Sequence, residues 1–277
     1  MIQEQYLDSK FNVLQNAIPK EKIFTIEEAE RALNLKRSSV YWILHNLTQE
    51  GRLTRLGRGY YTVAFEQLRT NSEPSLSELA KKASAVLKQE GIRFYITGLD
   101  VLAEYFDQIP VSYPPLVYID KGSSDWAARA LQELGTPIIL NPKNREVSIA
   151  RAVRPDGSLI IVRETAEFAF VAGFVAVPEK AFVDVYYETT RAYYDFSLGD
   201  LAHILVTSFF RGKLNPVRMI GAARRRRIEA EIRYLLDSGF GIFSETARPT
   251  VQLSRPVQEF TRTVRQLRNQ VVHGQNR

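Results

Sequence analysis

Residues 25–63, TIEEAERALNLKRSSVYWILHNLTQEGRLTRLGRGYYTV, have the pattern of two helices followed by a short hairpin. Thr25 with Glu28 three residues on has the spacing of a capping box, in which each side chain satisfies a backbone N–H that the first helical turn leaves unpaired. Ile26, Ala29 and Leu33 then share one helical face. After Asn34-Leu35-Lys36, the apolar residues Val40, Ile43, Leu44 and Leu47 recur at helical spacing, and Gly51 stands where a left-handed cap costs least. Leu53-Thr54-Arg55-Leu56 and Tyr60-Tyr61-Thr62-Val63 flank Gly57-Arg58-Gly59, whose glycines permit positive φ at a hairpin tip.

The second helix leaves an unusual face for solvent. Arg37, Tyr41 and His45 stand four apart in one row, with Lys36, Ser38, Ser39 and Trp42 beside them, and no acid occurs between Lys36 and Gln49. A merely solvated face would mix Glu with Lys. A helix of this kind fits the major groove, where Arg can pair bidentately with guanine and Ser or His can meet other base edges. Arg55, Arg58 and Tyr60 on the hairpin would reach phosphate or the minor groove. The expectation is a winged helix-turn-helix that enters double-stranded DNA. The alternative is a small helical domain whose hairpin mediates protein contacts.

The 277 residues suffice for two domains with their own cores. The polar, proline-punctuated stretch Asn71-Ser72-Glu73-Pro74-Ser75 is the best boundary, which gives domains at 1–71 and 76–277. No apolar run is long enough for a bilayer and the N-terminus lacks a signal-peptide layout, so a cytoplasmic protein without membrane contact is expected. The absence of cysteine excludes disulfides and thiolate chemistry, and His45, His203 and His273 are too scattered for a histidine-rich metal site. No cofactor or metal is expected. Lys and Arg number 10 against 8 acids in residues 1–71, 13 against 17 in 72–199 and 14 against 6 in 200–277, so the surplus positive charge is C-terminal. Such an end can attract nucleic acid or an acidic protein surface.

Before the hairpin stretch, Tyr6, Leu7, Phe11, Val13 and Leu14 predict a first helix ending before Pro19; after it, a short helical turn is expected over residues 64–70. Beyond the boundary, helices at 76–87 and 126–134 alternate with strands at 92–97, 116–120 and 136–140. Residues 147–153 and 158–163 flank Arg154-Pro155-Asp156-Gly157 and read as an antiparallel hairpin, which favours an α+β fold class with a helical, basic end. The apolar run 168–177, FAFVAGFVAV, reads as a buried segment, Pro178 as the first residue of a helix, and 198–210 as a central buried helix. Arg224, Arg225, Arg226 and Arg227 span just over one helical turn, so they fan around the axis; a solvated helix end and a phosphate or partner contact both fit.

Three stretches, the segment 25–63, Tyr95-Ile96-Thr97-Gly98-Leu99-Asp100-Val101-Leu102 and Val177-Pro178-Glu179-Lys180-Ala181-Phe182-Val183-Asp184, together resemble the AbiEi family of bacterial antitoxins. The last two look like that family's "ITG" and "PEKA…D" stretches. The resemblance covers about residues 20–210 and implies an autorepressor that binds the operator of its own operon and neutralises a nucleotidyltransferase-type toxin without requiring a stable complex. Lys180 and Asp184, one helical turn apart, are spaced for an ion pair.

Two other functions stay open: a stand-alone regulator without a toxin, and an active or degenerate nucleotidyltransferase-like enzyme. A strand ending at Thr97-Gly98, a helix and a strand ending at Asp120 are weakly similar to such a core, whose chemistry needs paired carboxylates to hold Mg²⁺ against a triphosphate. Asp120 has no second acid two residues away, so no catalytic residue is assigned.

Overall fold

The computed structural model describes residues 2–18, 23–57, 59–63, 75–105, 113–143, 146–153, 158–192, 194, 196–211, 213–243 and 253–274. Their helices and strands are numbered along the chain. The protein is a mixed α+β structure in two compact units, residues 1–69 with 228–253 and residues 70–227 with 254–277.

The first unit holds α1 (Ile2–Ala17), β1 (Ile23–Thr25), α2 (Ile26–Leu33), α3 (Arg37–Gln49), β2 (Leu53–Gly57), β3 (Tyr60–Val63) and, from the returning segment, α11 (Glu229–Phe240). The capping box forms: Thr25 N–H donates to Glu28 Oε2 at 2.9 Å and Glu28 N–H to Thr25 Oγ1 at 3.3 Å. Asn34 ends α2 in the left-handed region at φ 51°. The apolar rows of the three helices meet in one core of Leu7, Phe11, Leu14, Ile26, Leu33, Val40, Ile43, Leu44 and Leu47, closed by Leu53 and Tyr61. Tyr6 and Val13, expected in that apolar row, point outward instead. The strands form an antiparallel sheet in the order β1-β3-β2, with a register shift between Arg55 and Gly57. Pro19 and residues 64–70 lie outside the described residues.

Residues 228–253 join this unit, although a boundary near 71–75 assigns them to the second domain. Arg233 of α11 stands over the Tyr60 ring at 4.3 Å, and beyond the helix Ile242 C=O accepts from Ile23 N–H at 2.6 Å, extending the edge at β1. The apolar spacing of Ile232, Leu235 and Leu236 predicts burial but not which core receives it.

The second unit contains α4 (Glu78–Gln89), β4 (Phe94–Thr97), α5 (Leu99–Leu102), β5 (Leu116–Asp120), α6 (Ser124–Gln132), β6 (Ile138–Leu140), α7 (Glu146–Val153), β7 (Ile160–Thr165), β8 (Val171–Ala172), β9 (Val175–Ala176), α8 (Pro178–Arg191), α9 (Leu198–Phe210), α10 (Pro216–Arg225) and α12 (Arg255–Gly274). Its sheet runs β6-β7-β5-β4-β9-β8. Strand β5 is antiparallel to β4 and parallel to β7, so the sheet is mixed.

Two expectations are corrected here. Residues 147–153 are not a strand: they form α7, with Val147 buried and Ile149 and Val153 exposed, and β7 pairs in parallel with β5 and β6. The alternation of apolar residues is the same, but Glu146 accepts from Lys143 N–H at 2.7 Å and starts a helix. The run 168–177 is not a buried segment. It folds back at Gly173 (φ 59°) as the β8–β9 hairpin at the sheet edge, leaving Phe174 exposed. Pro178 does open α8. Among the described residues no helix is long and apolar enough to cross a membrane, and no group of His, Asp and Glu is placed to hold a metal ion.

Candidate nucleic-acid interface

Because Val40, Ile43, Leu44 and Leu47 fill the core, the opposite side of α3 faces water. Lys36, Arg37, Ser38, Ser39, Tyr41, Trp42 and His45 are all exposed. The first turn of α3 contains no acid and its N-cap, Lys36, makes no side-chain cap, so two cations add to the positive end of the helix dipole. Such an end favours an anionic partner.

Tyr41, Trp42, His45, Thr48 and Gln49 from α3, Arg55 from β2 and Tyr61 from β3 line one concavity of about 550 Å³. The helix face and the hairpin therefore share a cleft with aromatic walls and cationic or amide groups along it. Burial raises the Tyr61 hydroxyl pKa, so this ring forms a neutral floor. Tyr60 does not line the cleft; it is half-buried beneath Arg233. Arg58 lies outside the described residues.

Arg37 meets two acids of α2 that the sequence pattern did not single out. Its Nη2 lies 2.9 Å from Glu27 Oε1 and its Nη1 3.8 Å from Glu30 Oε1, while its guanidinium stands 5.8 Å from the Tyr41 ring centre. A hydrogen bond with Tyr41 and then one with Glu27 raise the Arg37 pKa. Arg37 and Glu27 are each more than half exposed, so water screens the pair and leaves it weak enough for a ligand to displace. Glu27 and Glu30 sit three apart on α2, but only the tertiary structure brings them to Arg37.

The four C-terminal arginines do not form one surface patch. Arg224, Arg225 and Arg227 are exposed, and Arg225 reaches Glu167 at 3.4 Å. Arg226 turns inward, where Nε and Nη2 lie 2.8 and 2.7 Å from Oδ1 of the fully buried Asp184 and the guanidinium stands 4.5 Å from the Tyr118 ring centre. Asp184 Oδ2 accepts from Thr97 Oγ1 at 2.9 Å and lies 3.6 Å from Lys180 Nζ. Nearby, Tyr118 donates to Glu188 at 2.6 Å, and Glu188 also pairs with Arg163 at 2.6 Å. The two short stretches around Thr97 and Asp184, 87 positions apart, thus meet in one buried ionic cluster. The expected Lys180–Asp184 pair exists, but it is internal, where breaking a pair costs far more than on a helix surface.

Beyond the end of β5, Gly122 N–H and Ser124 Oγ donate to Glu164 of β7 at 2.9 and 2.7 Å. The loop after Asp120 therefore turns these donors toward a carboxylate of the protein itself, and the Thr97 hydroxyl donates its hydrogen bond to Asp184.

Residues 13–64, from α1 through β3, match the model of a family described as "Transcriptional regulator, AbiEi antitoxin", the family that the sequence resembles. The chain as a whole belongs to a family of unknown function, DUF6577, whose model matches residues 39–241, that is 203 of 277. No curated protein matches the chain at a significant level.

Proposed function

We propose that the chain is a sequence-specific, double-stranded DNA-binding repressor built on a winged helix-turn-helix, and that it is the antitoxin and autoregulator of a toxin–antitoxin operon. The observation that carries this reading is the shared cleft of α3 and β2, in which Tyr41, Trp42, His45 and Arg55 face the same space. The match of residues 13–64 to AbiEi regulators supports it. In this reading α3 lies in the major groove, with Lys36, Arg37, Ser38, Ser39, Tyr41, Trp42 and His45 toward base edges and phosphates, and β2 and β3 form the wing, from which Arg55 reaches the backbone. The toxin is a nucleotidyltransferase, neutralised without a stable complex, as the family resemblance implies.

The test is fluorescence polarisation with a duplex from the region upstream of the gene. The full chain is expected to bind it more tightly than a scrambled duplex, with affinity falling as salt rises, because each phosphate contact releases counterions. Equal binding to both duplexes, or binding indifferent to salt, overturns the reading.

A further inference from the structure

Recognition helices that carry cations bind any duplex through its phosphates, so a reader needs something that works against the wrong sequence. Here the acids nearest the exposed face of α3 are not scattered: Glu27 and Glu30 both address Arg37, at 2.9 and 3.8 Å. Glu30 Oε1 is buried and accepts no hydrogen bond, so its nearest compensation is the Arg37 charge.

We propose that Glu27 and Glu30 are positioning residues that set the direction of Arg37 for base reading and disfavour binding to unrelated DNA. The proposal rests on the DNA-binding reading above and names the residues that would give it sequence selectivity. A guanidinium presents five N–H donors in a rigid fork, so Arg37 can keep its contact with Glu27 and still offer donors to a base edge. Drawn instead to a phosphate, it leaves two carboxylates without their counter-charge beside a polyanion. The right sequence keeps the acids compensated and the wrong one does not. Fixing the fork in advance also reduces the side-chain freedom lost on docking.

The experiment uses the full chain, its own upstream duplex and a scrambled duplex of equal length, across roughly 50–200 mM salt, the range over which phosphate contacts change affinity most clearly. Replacing both acids, Glu27→Gln with Glu30→Gln, is expected to tighten binding to the scrambled duplex roughly tenfold while changing the upstream duplex by no more than about threefold, so discrimination falls. Glu27→Gln alone moves in the same direction; Glu27 is exposed, so this variant tests the idea even if the double variant folds poorly. Glu27→Asp, which keeps the charge, is expected to retain most of the discrimination. After Arg37→Ala, Glu27→Gln should no longer alter the ratio between the duplexes. Equal tightening on both duplexes leaves discrimination intact and overturns the proposal, since the acids would then act only as bulk charge. A wild-type chain that does not distinguish the duplexes removes the DNA-binding reading itself, and this proposal with it.

Discussion

Arg37 and Arg226 have similar neighbours, a carboxylate and a tyrosine ring, and opposite surroundings. The side chains of Arg37 and Glu27 are 53% and 54% exposed, whereas Arg226 and Asp184 are 19% and 0% exposed. Water screens the first pair and leaves it weak, so its donors can be re-used by a partner. The second pair is largely shut off from solvent, and Thr97, Lys180 and Tyr118 are committed to the same cluster. Burial, more than residue type, separates a contact that can serve binding from one that holds the protein together.

The sharpest way to break this contrast is Asp184→Ala, which leaves Arg226 and Lys180 buried without their counter-charge. It is expected to cost about 3–5 kcal/mol of stability in chemical denaturation. A loss below 1 kcal/mol would mean that the interior cluster is no more demanding than the exposed one. On the outer face, Arg37→Ala with Tyr41→Ala should weaken binding to the upstream duplex by about 1–3 kcal/mol and shift unfolding by no more than about 0.5 kcal/mol. A large fall in melting temperature with unchanged DNA affinity would reverse the roles of the two regions.

Acidity sharpens the comparison further. Burial first, with Asp184 pulling the other way, lowers the Lys180 pKa below the ordinary lysine value of 10.5. Between the lowered value and 10.5 the unfolded chain binds more protons than the folded one, so Lys180 makes stability rise with pH across that window. Lys180→Met should remove this part of the rise, read as the difference between variant and wild-type unfolding curves at several alkaline pH values. An unchanged slope would show that the lysine is not desolvated. The smallest effect is expected for Arg225→Ala, whose exposed partner Glu167 should contribute about 0.5 kcal/mol or less in thermal unfolding.

The N-terminal helices were legible because their determinants are local. Thr25 and Glu28 announce α2, the four apolar residues of α3 leave one face outward, and Gly59, at φ 82°, suits the turn between β2 and β3. Pro178 marks α8 for the same reason. Residues 147–153 misled because alternating Val, Ile and Val suits a strand as well as a helix with one apolar face, and the Lys143–Glu146 contact that starts the helix is weak as a sequence signal. The run 168–177 suggested an interior segment from composition alone, whereas Gly173 allows it to turn back at an edge. Which of four consecutive arginines points inward cannot be read from their order. That Arg226 is the one depends on where Asp184 lies, 42 positions earlier in the chain.

The return of residues 228–253 to the first unit has a consequence for dissecting the protein. A fragment ending near residue 71 would keep α3 and the hairpin but strip away the helix that shields Tyr60 and the carbonyl that receives the Ile23 amide proton. The natural dissection is to replace the intervening stretch with a short tether, so that the outgoing and returning segments of the first unit remain on one polypeptide.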